Sequence, residues 1–123
     1  VEKRMILSVL IVDDSGVSRQ IVRRALPPWD LDVREASGGA ECLSLYHEKR
    51  ADIVLLDLTM PGMDGFETLQ RLKALDAQAR VIVITADIQT GSEERVLHLG
   101  AQALLSKPVK PDALQAAMEA CLS

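Results

Sequence analysis

The chain has 123 residues, the size of one domain. It is 48% hydrophobic but only 2% aromatic, so it can bury a core, and that core must be aliphatic. Few aromatic rings and a net charge of −4 disfavour direct nucleic-acid binding, which needs stacking platforms or a basic phosphate-binding face. No apolar stretch approaches the roughly 20 residues that span a bilayer, so no membrane partner is expected.

The opening Val1-Glu2-Lys3-Arg4 lacks a signal-peptide pattern, and a start without Met points to processing, trimming or an artificial boundary. Cys42 and Cys121 lie far apart without metal-ligand spacing, which fits a reduced, cytoplasmic setting.

Apolar runs alternate with segments of helical period, the pattern of an α/β fold with a parallel sheet. A first strand is expected near Ser8–Asp13, closing on the acid pair Asp13-Asp14. A helix follows from about Ser15, capped by Asp14 or Ser15, with Val17, Ile21, Val22 and Ala25 inward and Arg19, Arg23 and Arg24 on a solvated face. Pro27-Pro28 ends it, and Trp29 plugs the loop beyond.

The second strand, Leu31–Ala36, carries Asp32, Arg34 and Glu35, a charge load that suits a sheet edge. A helix over Gly39–Lys49 leads to a third strand, Ile53–Asp57, whose apolar run ends on a carboxylate. Asp64 and Glu67 have capping-box spacing ahead of a helix carrying Phe66, Leu69 and Leu72.

Val81–Thr85 reads as a central parallel strand. Thr90 and Glu93 repeat the capping-box spacing before a helix that Gly100 closes. A short fifth strand, Ala103–Leu105, precedes Lys107-Pro108. The last helix opens with Pro111 and turns Leu114, Ala117, Met118 and Cys121 inward. His47 and His98 read as helix-surface residues.

Sheets of this kind bind ligands beyond the carboxyl ends of their strands, where Asp13, Asp14, Asp57, Thr85 and Lys107 all fall. Carboxylates crowded into one crevice repel and must take up protons or bind a cation. Hard oxygens without His or Cys select a magnesium-like ion. Asp57 is then a candidate nucleophile toward phosphorus, with Lys107 a second positive charge and the Thr85 hydroxyl and Ala86 N–H as donors to an installed phosphoryl group.

Four motifs carry a family resemblance over essentially the whole chain. They are Val-Asp-Asp-Ser at 12–15, Asp-Leu-Thr-Met-Pro-Gly-Met-Asp-Gly at 57–65, Ile-Thr-Ala at 84–86 and Lys-Pro at 107–108. In this order and spacing they resemble the receiver domain of two-component response regulators, and most closely the stand-alone chemotaxis type.

The resemblance implies one receiver domain over residues 1–123 with a flavodoxin-like sheet in order 2-1-3-4-5. It implies phosphorylation of Asp57 by a histidine kinase or phosphotransfer protein, with an output protein and a phosphatase as further partners and no turnover beyond the chain's own phosphoryl group. It implies Mg2+ held by Asp14, Asp57 and the Thr59 main-chain carbonyl, with Asp13 acting through a water. It makes Thr85 the switch hydroxyl and Lys107 the phosphate-pairing cation, and it makes the Lys107–Pro108 peptide cis.

Leu104 departs from the family, since many receivers carry Tyr or Phe three residues before the lysine. Val109 replaces a Phe common in DNA-binding regulators. A receiver cut from a longer regulator is an alternative. A haloacid-dehalogenase-type phosphatase would want an acid where Thr59 stands, and a dinucleotide binder would need a Gly-rich turn after the first strand.

Overall fold

The computed structural model describes residues 6–123. Five strands alternate with five helices: β1 Leu7–Val12, α1 Gly16–Ala25, β2 Leu31–Ala36, α2 Gly39–Glu48, β3 Ile53–Leu56, α3 Gly65–Leu75, β4 Val81–Thr85, α4 Ser92–His98, β5 Ala103–Ser106 and α5 Pro111–Leu122. All strand pairs are parallel, and the order is β2-β1-β3-β4-β5. This is the flavodoxin-like (βα)5 sandwich that the family resemblance implies. The charged β2 lies at an edge, and β3 and β4 lie inside.

Side chains alternate across a strand, so each central run feeds two cores. Leu10, Val12, Val54, Leu56, Val81 and Val83 face one layer, packed with Cys42 and Tyr46 of α2, Leu69 and Leu72 of α3 and Val96 of α4. Val9, Ile11, Ile53, Leu55, Ile82 and Ile84 face the other, packed with Val22 and Ala25 of α1 and Leu114, Met118 and Cys121 of α5. Each strand end inherits this parity, and it decides which end residues can meet.

Local rules explain most element boundaries. Ser15 caps α1 by accepting from the Ser18 N–H, and Asp64 caps α3 by accepting from the Glu67 N–H. Glu67 does not complete a capping box; its carboxylate pairs with Arg71 one turn on, at 2.8 Å. Arg34 donates to the carbonyls of Leu45 and Lys49 and so satisfies the end of α2. Trp29 is half-buried against the α1/α5 core, as a loop plug should be.

Three further expectations need correction. Val17 and Ile21 do not face inward: they are 74% and 49% exposed, because α1 buries only Val22 and Ala25. Thr90 does not cap α4. Gly91 does, with φ +86°, a left-handed conformation that favours glycine and that pushes the helix start to Ser92. Arg19 and Arg23 are not a freely solvated face, since both bind Glu35 of β2.

Candidate functional site

Three strand ends build one acidic pocket. Asp13 follows β1 with the parity of Val9 and Ile11, Asp57 follows β3 with that of Ile53 and Leu55, and Lys107 follows β5 with that of Ala103 and Leu105. All three therefore point to the α1/α5 side of the sheet. Asp13 is 3% exposed and Asp57 is 6% exposed. The Lys107 ammonium donates to Asp13 Oδ2 at 2.7 Å and lies 3.4 Å from Asp57 Oδ2. Asp14, one residue past Asp13, is exposed at the rim, and carboxylate oxygens of Asp13, Asp14 and Asp57 lie within 4.8 Å of one another.

Backbone bonds hold these ends together. The Asp57 N–H donates to the Val12 carbonyl at 3.0 Å, which locks β3 to β1 beside the acids. The Asp13 N–H donates to the Ala36 carbonyl at 3.1 Å, and the Ser15 N–H donates to Asp13 Oδ1 at 2.9 Å. The Lys107 N–H donates to the Thr85 carbonyl at 2.9 Å, tying β5 to β4.

Gly65 is a steric requirement that the sequence reading missed. A Cβ there would overlap the Asp57 carbonyl oxygen and Leu58 Cα, so α3 can start this close to the site only without a side chain. The signal was present as the second glycine of the loop after Asp57.

The electrostatics of the two buried acids diverge. Burial raises the Asp57 pKa and the nearby Asp13 charge adds to that, against the pull of Lys107, so the carboxyl sits above its usual range. Asp13 is also penalised by burial, but hydrogen bonds from Lys107, Ser18 and Ser15 more than offset it and leave its pKa lowered. Asp13 is thus the satisfied acid, while Asp57 lacks enough partners for its charge.

Thr85 is fully buried at the end of β4, and its Oγ1 accepts from the Asp87 N–H at 3.1 Å. It has the opposite parity and faces the α4 side, as does Leu104, which packs against the core containing Val96. Ala86 is exposed and lines a cavity of about 280 Å³ with Lys107, Val22, Ile21 and Val109. Thr59 is exposed, and its N–H points at Asp57 Oδ1 across a long 3.5 Å. The Lys107–Pro108 peptide is cis.

The donor set fits a small, hard dication. Three carboxylates facing one ammonium leave two formal negative charges, and every side-chain donor is oxygen. Arg19 shares the single Glu35 carboxylate with Arg23, and its guanidinium reaches the Asp13 main-chain carbonyl and not the three carboxylates.

Comparison with known proteins agrees with this geometry. The sequence model of the response regulator receiver domain matches residues 9–119. The chemotaxis protein CheY of Listeria monocytogenes is 38% identical over 114 residues, covering 92% of this chain and 96% of that protein. CheY of Bacillus subtilis is 34% identical over 116 residues, covering 94% and 97%.

A solved CheX–CheY–BeF3–Mg2+ complex from Borrelia burgdorferi contains a chain that matches with a TM-score of 0.88 at 30% identity, covering 95% of this chain and 90% of that one. The buried acids, the lysine between them and the sheet order thus have a common explanation: the chain belongs to the response regulator receiver domain family, the CheY-like switches of phosphorelay signalling.

Proposed function

We propose that Asp57 is the phosphoryl acceptor and that a sensor histidine kinase or phosphotransfer protein supplies the group from a phosphohistidine. The observation that carries this reading is the unequal state of the two buried acids. Lys107 satisfies Asp13 at 2.7 Å and reaches Asp57 only at 3.4 Å, so Asp57 is the carboxylate left to react.

An Asp57 oxygen attacks phosphorus as the phosphorus–nitrogen bond breaks, and the imidazole keeps the bonding pair and takes up a proton. Asp14, Asp57 and the Thr59 main-chain carbonyl would hold Mg2+, with Asp13 acting through a water. Bound magnesium supplies positive charge that neutralises the transferring group. Lys107 swings from Asp13 to the new phosphoryl oxygens, and the Ala86 N–H is a further donor.

The Thr85 hydroxyl accepts from Asp87 in the described state, which leaves its own proton free to donate to the phosphoryl group. Drawing Thr85 and Lys107 inward changes the face made by β5, α4 and α5. Moving such a two-state protein from 1:99 to 99:1 takes ~5.5 kcal/mol, within reach of several charge-assisted hydrogen bonds. The output is binding to another protein, in chemotaxis or a related cytoplasmic pathway, and a partner phosphatase resets the switch. The chain's only chemistry is to gain and lose its own phosphoryl group.

Acetyl phosphate with Mg2+ tests this directly. The parent takes up one phosphoryl group, and Asp57→Ala takes up none; stoichiometric labelling of that variant refutes the assignment.

A further inference from the structure

A second set of charges stands behind the acidic edge. Glu35, next to last in β2, pairs in register with Ile11 of β1, two residues before Asp13. Arg19 lies in the second turn of α1. Its Nε donates to Glu35 Oε1 at 2.7 Å, while Nη1 donates to the Asp13 main-chain carbonyl at 2.6 Å.

Arg23, one turn on, donates from Nε and Nη2 to Glu35 Oε2 at 3.0 and 2.9 Å. Both Glu35 oxygens are thus occupied, and the Arg19 side chain is only 19% exposed. A surface ion pair alone is worth about 0–1 kcal/mol and would need no third contact. Here the guanidinium spans two anchors on different elements, a reach that depends on its rigid fork.

The carbonyl it holds belongs to the peptide joining Asp13 to Asp14. The β2 edge holds the Asp13 N–H through the Ala36 carbonyl, and Arg19 holds the other side. Rotation of that peptide would turn the Asp14 carboxylate away from Asp57 and loosen Asp13 from the Ser15 N–H. We infer that Arg19, anchored by Glu35, is a positioning residue that keeps the Asp13 and Asp14 carboxylates directed at one shared cation. This rests on the reading of the site as a magnesium-dependent phosphoryl acceptor.

The test compares the full chain with Arg19→Gln, Arg19→Lys and Glu35→Gln. Calorimetry measures the Mg2+ dissociation constant, NMR measures exchange of the Ser15 amide in metal-free protein, and acetyl phosphate labelling is followed against Mg2+ concentration. Arg19→Gln should weaken Mg2+ binding by about tenfold, the usual loss for a group supporting metal ligands, and speed Ser15 exchange. Half-saturation of labelling should shift by the same factor, with a smaller change in the maximal rate. Arg19→Lys keeps the charge without the fork and should recover only part of the loss. Glu35→Gln should move every readout the same way by less, and it decides the matter if Arg19→Gln does not fold.

Parent values for Mg2+ affinity and Ser15 exchange in both Arg19→Gln and Glu35→Gln overturn the inference, even if melting temperatures fall. A parent chain that neither binds Mg2+ nor labels overturns the underlying reading of the site instead, and the inference with it.

Discussion

Lys107 Nζ sits 2.7 Å from Asp13 Oδ2 and 3.4 Å from Asp57 Oδ2, so the lysine bridges two buried acids and binds Asp13 more closely. It would therefore compete with a bound dication for the same oxygens. Lys107→Ala removes that competitor, and Mg2+ affinity of the unphosphorylated protein should rise by about fivefold, the equivalent of about 1 kcal/mol of relieved repulsion. Calorimetry at low ionic strength checks the sign; weaker binding in the variant would mean that the ammonium organises the acids more than it opposes the ion. The same variant should lose the phosphorylation-dependent change at β5.

Gly65 lies against the Asp57 carbonyl and Leu58 Cα, and its N–H donates to the Leu58 carbonyl at 2.9 Å. Both overlaps are with backbone, which cannot swing aside as a side chain would. Gly65→Ala should cost about 1–3 kcal/mol, in the range of an overpacked core, and should slow Asp57 labelling by displacing the loop. Urea denaturation and labelling rate measure the two effects. A variant matching the parent in both would show that the loop gives way freely.

The Glu35 carboxyl is held below its ordinary value of 4.5, chiefly by hydrogen bonds from Arg19 and then Arg23. A lowered folded-state pKa stabilises the protein fully above the unfolded value, and that contribution disappears as the pH falls through the folded one. Glu35→Gln should therefore melt below the parent at pH 6–7, with the gap closing on acidification below 4.5. Thermal scans across pH give the result, and added salt should narrow the gap at neutral pH. A gap that widens in acid would contradict the pairing.

Burial pushes the Cys42 thiol up to about 12, and the residue is 0% exposed between α2 and the sheet. The thiolate is the reactive form, so Cys42 should resist Ellman's reagent at pH 8 in the native protein and react at once in denaturant. Mass spectrometry of the labelled peptide distinguishes it from Cys121, which is 7% exposed and whose thiol burial also raises. Fast native labelling at Cys42 would show that α2 opens readily.

Much of the site was readable before any fold was known, because its acids end apolar runs and strands of a parallel sheet end at one edge. Asp57 after Ile53–Leu56 and Asp13-Asp14 after Val9–Val12 needed only that rule. The expected cap at Asp64 formed, since a short acid one residue before a helix reaches the N–H three residues on. The expected cap at Thr90 failed because a glycine follows it, and Gly91 took the left-handed position at the helix start. Val17 and Ile21 follow a helical period but stay exposed, because α1 buries only Val22 and Ala25.

The alternation of elements, the two-sided aliphatic core and the strand ends that carry oxygen and nitrogen were all legible in the order of residues. These depend on period and local propensity, which neighbouring residues set among themselves. Folding alone reveals that Lys107 lies closer to Asp13 than to Asp57, that Arg19 reaches back to the Asp13 carbonyl, and that Gly65 must be bare. Each of these depends on through-space distances between segments, and strand parity and sheet order set them only once the layers have packed.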